Sequence, residues 1–133
     1  MWTMTTPSLT VQLHERRPGF FEMALAGRLD TLTCPFLEDR LAILRARMVH
    51  GLHLEMGQLE YISSMGLRAV VMAMKQVREG GGSFSMSGLQ PQVKKVFDIV
   101  SLLPKESVFA SVAEADRYFD AMQRKELEKL RTS

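Results

Sequence analysis

The stretch Tyr61-Ile62-Ser63-Ser64-Met65-Gly66-Leu67-Arg68 decides how the chain is read. It follows a short apolar run and opens a long amphipathic pattern, so two adjacent hydroxyls fall where a strand gives way to a helix. The first amides of a helix lack intrahelical partners and carry the positive end of its dipole, which stabilises an anion there. A phosphoryl group on either serine would sit on that positive end while placing new charge on the surface. A plainer reading stands beside this one: serine is a preferred N-cap because its hydroxyl satisfies an orphan amide. Taken alone, the local sequence favours capping. The rest of the chain has to decide.

C-terminal to the serines, Leu67, Val70, Val71, Met74 and Val77 form one apolar stripe, and Arg68, Lys75, Gln76, Arg78 and Glu79 take the other face. That pattern predicts a helix packed on a sheet, ended by Gly80-Gly81-Gly82. Ser83 to Ser87 reads as a strand with Phe84 and Met86 on one face. Pro91 opens a helix with Val93, Val96, Phe97 and Val100 as its apolar positions. Ser107 to Ala110 is predicted to be a last short strand. Ser111 and Glu114 make a capping-box signature ahead of Val112, Ala115, Phe119 and Met122.

N-terminal to the serines, Leu9 to Leu13 alternates apolar and polar residues, and Arg16-Arg17-Pro18-Gly19 marks a turn. Phe20 to Ala26 is a second strand, stopped by Gly27, and the two make a hairpin. Thr33, Cys34 and Pro35 begin a helix along which Leu37, Leu41, Leu44 and Met48 repeat. Gly51 to Met56 is a short strand with Leu52, Leu54 and Met56 on one side and His53 and Glu55 on the other. Strands and helices in alternation predict an α/β fold, a mixed β-sheet packed against amphipathic helices. The expected organisation is an N-terminal extension over 1–8, one domain over 9–123, and a charged helix end or tail over 124–133.

Composition narrows the function. The chain has 133 residues, 46% hydrophobic and 24% charged, enough for one domain with a real core. A net charge of +2 without a long Lys/Arg cluster argues against nucleic acid. The longest apolar run, Ala69 to Met74, is too short to cross a membrane, and Met1 to Pro7 lacks the pattern of a signal peptide. Cys34 is the one cysteine, which fits a reducing compartment, and the expected location is cytoplasmic.

Catalytic chemistry is sparse. His14, His50 and His53 lack the spacing of a zinc motif. The glycine run follows a helix and lacks the Gly-Lys-Ser/Thr ending of a phosphate loop, and no Gly-x-Ser-x-Gly elbow surrounds the serines. Cys34 near a helix start raises the question of a lowered thiol pKa, against the plainer role of a small buried residue. The reading is of a protein that is not an enzyme and needs no cofactor or metal.

Three stretches, in order, carry a family resemblance from about Leu9 to Met122. They are Gly27-Arg28-Leu29-Asp30, then Tyr61 to Arg68, then Gly81-Gly82 with Ser87 to Val93, completed by Phe97 to Leu102. The chain resembles the STAS domain of bacterial anti-sigma-factor antagonists. The resemblance implies a binding module switched by phosphorylation. The unmodified form would bind a serine protein kinase that is also the anti-sigma factor, of the histidine-kinase-like ATPase class. A serine phosphatase would reverse the modification. Position by position, the phosphoacceptor corresponds to Ser64, with Ser63 as the alternative. The implied partner-binding residues are Asp30, Thr31, Ser63, Ser64, Met65, Gly66 and Arg68. Two positions depart from the family loop: Ser63 stands where aspartate is common, and bulky Met65 stands where a small residue is usual.

Two other readings compete. One is a scaffold subunit without phosphorylation, for example beside a lipid-transport ATPase; the other is a small-ligand or nucleotide-binding domain. Asp30 has a plain role as a turn or N-cap residue. An aspartate at position 64 is expected to gain about 0.5 kcal/mol from the helix N-terminus.

Overall fold

The structure is a computed structural model describing the backbone of residues 2–5, 8–102 and 112–132, with side chains over 8–98 and 116–131. The elements in chain order are β1 (Trp2–Thr5), β2 (Leu9–Arg17), β3 (Phe20–Leu29), α1 (Cys34–Arg45), β4 (Gly51–Ile62), α2 (Ser64–Glu79), β5 (Ser83–Ser87), α3 (Pro91–Leu102) and α4 (Val112–Thr132). Among the described residues one five-stranded sheet runs in the order β1-β2-β3-β4-β5. The first two pairings are antiparallel and the last two parallel, so the sheet is mixed as expected. The segment expected as an extension contributes β1, at the sheet edge.

Alternation explains which face is covered. Leu9, Val11 and Leu13 of β2 are buried, as are Phe21, Met23 and Leu25 of β3 and Leu52, Leu54 and Met56 of β4. Leu37, Leu41 and Leu44 of α1 and Leu67, Val70, Ala73 and Val77 of α2 belong to the same core. Met48 falls outside this stripe because α1 ends at Arg45, and it is 77% exposed. The predicted Phe84–Met86 face of β5 packs partly against the core.

Two strands run further than the periodicity suggested. β3 continues through Gly27 to Leu29. Gly27 has φ +103°, and a Cβ there would lie 2.2 Å from the Ser8 carbonyl oxygen. The glycine lets the strand pass Ser8 with an irregular register rather than stopping it. β4 continues from Met56 to Ile62 across register shifts opposite Ala24/Ala26 and Gly27/Arg28. These shifts destroy the alternation by which a strand is recognised.

β5 accompanies β4 only from Gly51 to Glu55. Three glutamines serve the rest of that edge. Gln90 Nε2 donates to the Gly57 carbonyl at 2.9 Å, and Gln92 Nε2 to the Glu60 carbonyl at 2.9 Å. Gln123 of α4 accepts the Ile62 amide at 3.0 Å and donates to the Ile62 carbonyl at 2.7 Å. Gln92 and Gln123 are buried, so these bonds satisfy backbone groups that water does not reach. α4 extends regularly to Thr132, so the charged segment after Arg124 is helix. The predicted strand at Ser107 to Ala110 and the cap at Ser111 lie outside the described residues, as do the side chains of Val100, Val112 and Ala115.

Two stability measurements check this account. Gln123→Leu should lose about 2–4 kcal/mol in urea unfolding, because it strands both Ile62 groups in a dry site. Gly66→Ala should lose about 1–3 kcal/mol by overpacking. A Cβ at Gly66 would lie 2.7 Å from Leu29 Cγ and 2.9 Å from the Leu29 carbonyl oxygen.

Candidate functional site

The parallel pairing of β3 with β4 ends at Leu29 opposite Ile62, so the turns that follow both strands emerge side by side. One turn carries Asp30 and Thr31; the other carries Ser63 and Ser64. The Ser63 amide donates to the Leu29 carbonyl at 2.8 Å, tying the two together. The expected juxtaposition of Asp30 with the serine loop is therefore present.

The two serines divide the roles that the sequence left shared. Ser63 is the N-cap of α2, with extended backbone, and its Oγ accepts the Gly66 amide at 3.2 Å. It is 2% exposed. Ser64 is the first residue of α2 and half-buried, and its hydroxyl does not serve as the cap. Its Oγ donates to Asp116 Oδ1 at 2.5 Å, and its amide donates to the same oxygen at 3.0 Å. The carboxylate of α4 thus takes an orphan amide at the start of α2, from 52 residues away.

Asp116 overturns one expectation. An aspartate at position 64 would meet a carboxylate already seated on the helix N-terminus, so repulsion replaces the anticipated gain. The sequence held one signal for this residue: Asp116 and Gln123 lie seven apart, flanking Phe119, on the face predicted to be apolar. Polar groups on a buried stripe need partners.

Two residues expected on a partner surface are committed elsewhere. Ser63 caps the helix, and buried Gly66 lets α2 approach Leu29. Thr31 and Arg68 are exposed, while Asp30 and Met65 are half-buried. Asp30 Oδ1 accepts the Leu32 and Thr33 amides, each at 3.0 Å, and the Thr33 hydroxyl at 3.2 Å. That is the turn-residue role. Its Oδ2 lies 3.9 Å from Arg28 Nε.

Charge around the loop is mixed: Asp30 lies beside Arg28, Asp120 is paired with Arg124, and Arg68 is exposed next to the serines. The Arg28 guanidinium lies over the Tyr61 ring, 4.0 Å from its centroid. Burial raises the Tyr61 phenol pKa, and the charge of Asp120 adds to the effect; Arg28 opposes it, while Asp116 and Asp30 reinforce it. Cys34 is buried, with Sγ donating to the Met65 carbonyl at 3.6 Å. Burial, with Glu38 beside it, pushes the thiol up to about 11. The small-buried-residue role holds, and the lowered pKa does not. Of the histidines, His53 bonds Ser85 at 2.7 Å and Ser87 at 2.8 Å across β4 and β5, and His50 lies beside Phe20. His14 on β2 stands opposite Glu22. No helix among the described residues is long and apolar enough to cross a membrane.

Comparison with known proteins agrees with this geometry. The chain is 29% identical over 83 residues to an anti-sigma-B factor antagonist of Staphylococcus epidermidis, covering 62% of this chain and 77% of that one. It is 23% identical over 95 residues to an anti-sigma-B factor antagonist of Listeria monocytogenes, covering 71% and 83%. The solved structure of the anti-sigma factor antagonist SpoIIAA in its unphosphorylated form superposes with a TM-score of 0.62 at 20% identity, covering 69% of this chain and 81% of that one. The structure of the Bacillus cell fate determinant SpoIIAA in the phosphorylated form gives 0.59 at 19% identity, covering 69% and 84%. The STAS domain model matches residues 13–115. With the mixed sheet, the paired turns and this match in agreement, the chain belongs to the STAS domain family.

Proposed function

We propose that the chain is an anti-sigma-factor antagonist working in the cytoplasm by partner switching. Unphosphorylated, it binds a serine protein kinase of the histidine-kinase-like ATPase class that is also the anti-sigma factor. The kinase transfers the γ-phosphoryl group of ATP to Ser64 Oγ, the complex separates, and a serine phosphatase restores the first state. The protein acts as a binding module rather than an enzyme.

One observation carries this reading. Of two adjacent hydroxyls at the start of α2, Ser63 is buried as the cap and Ser64 lies at the rim. The departure at position 63 loses its weight here, since serine and aspartate are comparable N-caps. The names of the relatives point to an anti-sigma factor as the partner, and the kinase class comes from the family resemblance. Asp30, Thr31, Ser64, Met65 and Arg68 form the proposed contact face, to which Leu32, 83% exposed in the Asp30 turn, adds an apolar anchor. Phosphate would bring close to two negative charges beside the Asp116 carboxylate, while Asp30 and Asp120 already have Arg28 and Arg124 as partners, and unpaired charge in a packed interface is costly. The scaffold reading, a subunit beside a lipid-transport ATPase, draws on the engagement of the Ser64 hydroxyl by Asp116.

The deciding experiment is incubation with the cognate kinase and ATP, followed by peptide mass spectrometry. Phosphate is expected on Ser64 and absent from Ser64→Ala; phosphate on Ser63 alone, or on neither, removes this reading. Ser64→Ala is expected to bind the kinase about as tightly as the parent, and Ser64→Asp at least roughly tenfold more weakly in titration calorimetry. Asp30→Asn keeps the turn acceptor and should melt within about 0.5 kcal/mol of the parent, whereas Asp30→Ala should lose about 1–2 kcal/mol. Weakened kinase binding by the stable asparagine variant would place Asp30 in the interface.

A further inference from the structure

We propose that Asp116 is a positioning residue that couples the state of Ser64 to the docking of α4, so that phosphorylation of the loop releases the helical turn carrying Asp116. The inference rests on Ser64 being the acceptor.

The geometry of α4 leads to it. Asp116, Phe119 and Gln123 are spaced i, i+3 and i+7, so they share one face of the helix. Phe119 is 3% exposed and Gln123 1%. The two polar members hold the chain on either side of Ser63: Gln123 at Ile62, through both backbone groups, and Asp116 at Ser64. The Gln123 bonds involve no Ser64 atom. The Asp116 contact depends on it entirely, because one carboxylate oxygen receives both the amide and the hydroxyl of that residue. Of these two polar attachments of α4, one is indifferent to the modification and one senses it.

The chemistry of transfer acts on the second attachment alone. Ser64 Oγ forms a bond to the γ-phosphorus of ATP, the bond to the ADP oxygen breaks, ADP leaves, and the hydroxyl proton is released. The hydrogen that bonded Asp116 is gone, and the ester oxygen cannot donate. In its place stand close to two negative charges at hydrogen-bond range of a carboxylate. Asp120, one turn beyond Asp116, is paired with Arg124, and Asp30 across the loop lies beside Arg28, so the like-charge contact is the one with Asp116. A contact that was doubly hydrogen-bonded becomes a like-charge contact. The N-terminal part of α4 moves away from the loop while Gln123 at Ile62 and the packing against α3 keep the remainder of the helix in place.

Amide hydrogen exchange on the full chain tests the coupling without a kinase. Ser64→Asp is expected to speed exchange of amides 116–120 by about tenfold or more, with β3 and β4 unchanged, and Ser64→Ala by less than about threefold. Adding Asp116→Asn to Ser64→Asp removes the like-charge pair and should return those amides to within about twofold of the parent. A residue that merely braced the fold would make the second change additive instead of compensating. If Ser64→Asp does not yield folded protein, recovery of folding by Asp116→Asn is the supporting result, and no recovery overturns the proposal. Parent-like exchange in Ser64→Asp, or a double variant as open as the single, also overturns it. A parent protein that no cognate kinase labels at Ser64 counts against the proposed function, while the exchange result stands on its own.

Discussion

The parallel pairing of β3 with β4, carried as far as Leu29 opposite Ile62, is the constraint on which the site depends. Because the strands run in the same direction and end together, their following turns leave the sheet at the same edge. The Ser63 amide closes on the Leu29 carbonyl, and Gly66 lets the first turn of α2 sit against Leu29. Close approach of α2 to Leu29 fixes where the helix N-terminus points, and with it the Ser64 hydroxyl. Asp30 closes its own turn through Oδ1, so both halves of the surface are locally rigid.

The second structural device is the short reach of β5. A parallel strand that stops at Ser87 leaves β4 with unpaired backbone groups from Gly57 onward. Gln90, Gln92 and Gln123 supply side-chain amides that mimic a neighbouring strand, each with donor and acceptor in one group. Because the last of these comes from α4, satisfying the edge also draws α4 to the serine loop. Asp116 reaches Ser64 as a consequence of that docking.

Electrostatics at the loop are a balance between a helix N-terminus, which favours negative charge, and surrounding carboxylates, which oppose it. In the unmodified protein Asp116 already occupies the favourable position. Charge added at Ser64 therefore competes with Asp116 for the Ser64 amide and cannot simply be absorbed by the helix dipole. The cation stacked on Tyr61, Arg28, is drawn toward Asp30.

Local periodicity alone determined the hairpin, the apolar stripes of α1 and α2, β5 and the start of α3, because each of these patterns is written in neighbouring residues. It also placed both serines at a strand-to-helix junction. Periodicity failed where the backbone departs from regular pairing, at Gly27 and across the second half of β4, since a bulge shifts the faces without changing composition. Which serine caps α2 and which faces the rim was not legible, because both hydroxyls suit the cap and only close packing against Leu29 chooses between them. Asp116 was least legible of all. A carboxylate 52 residues from its partner acquires that partner only when α4 packs against α3 and α2, through long-range contacts that no local pattern encodes.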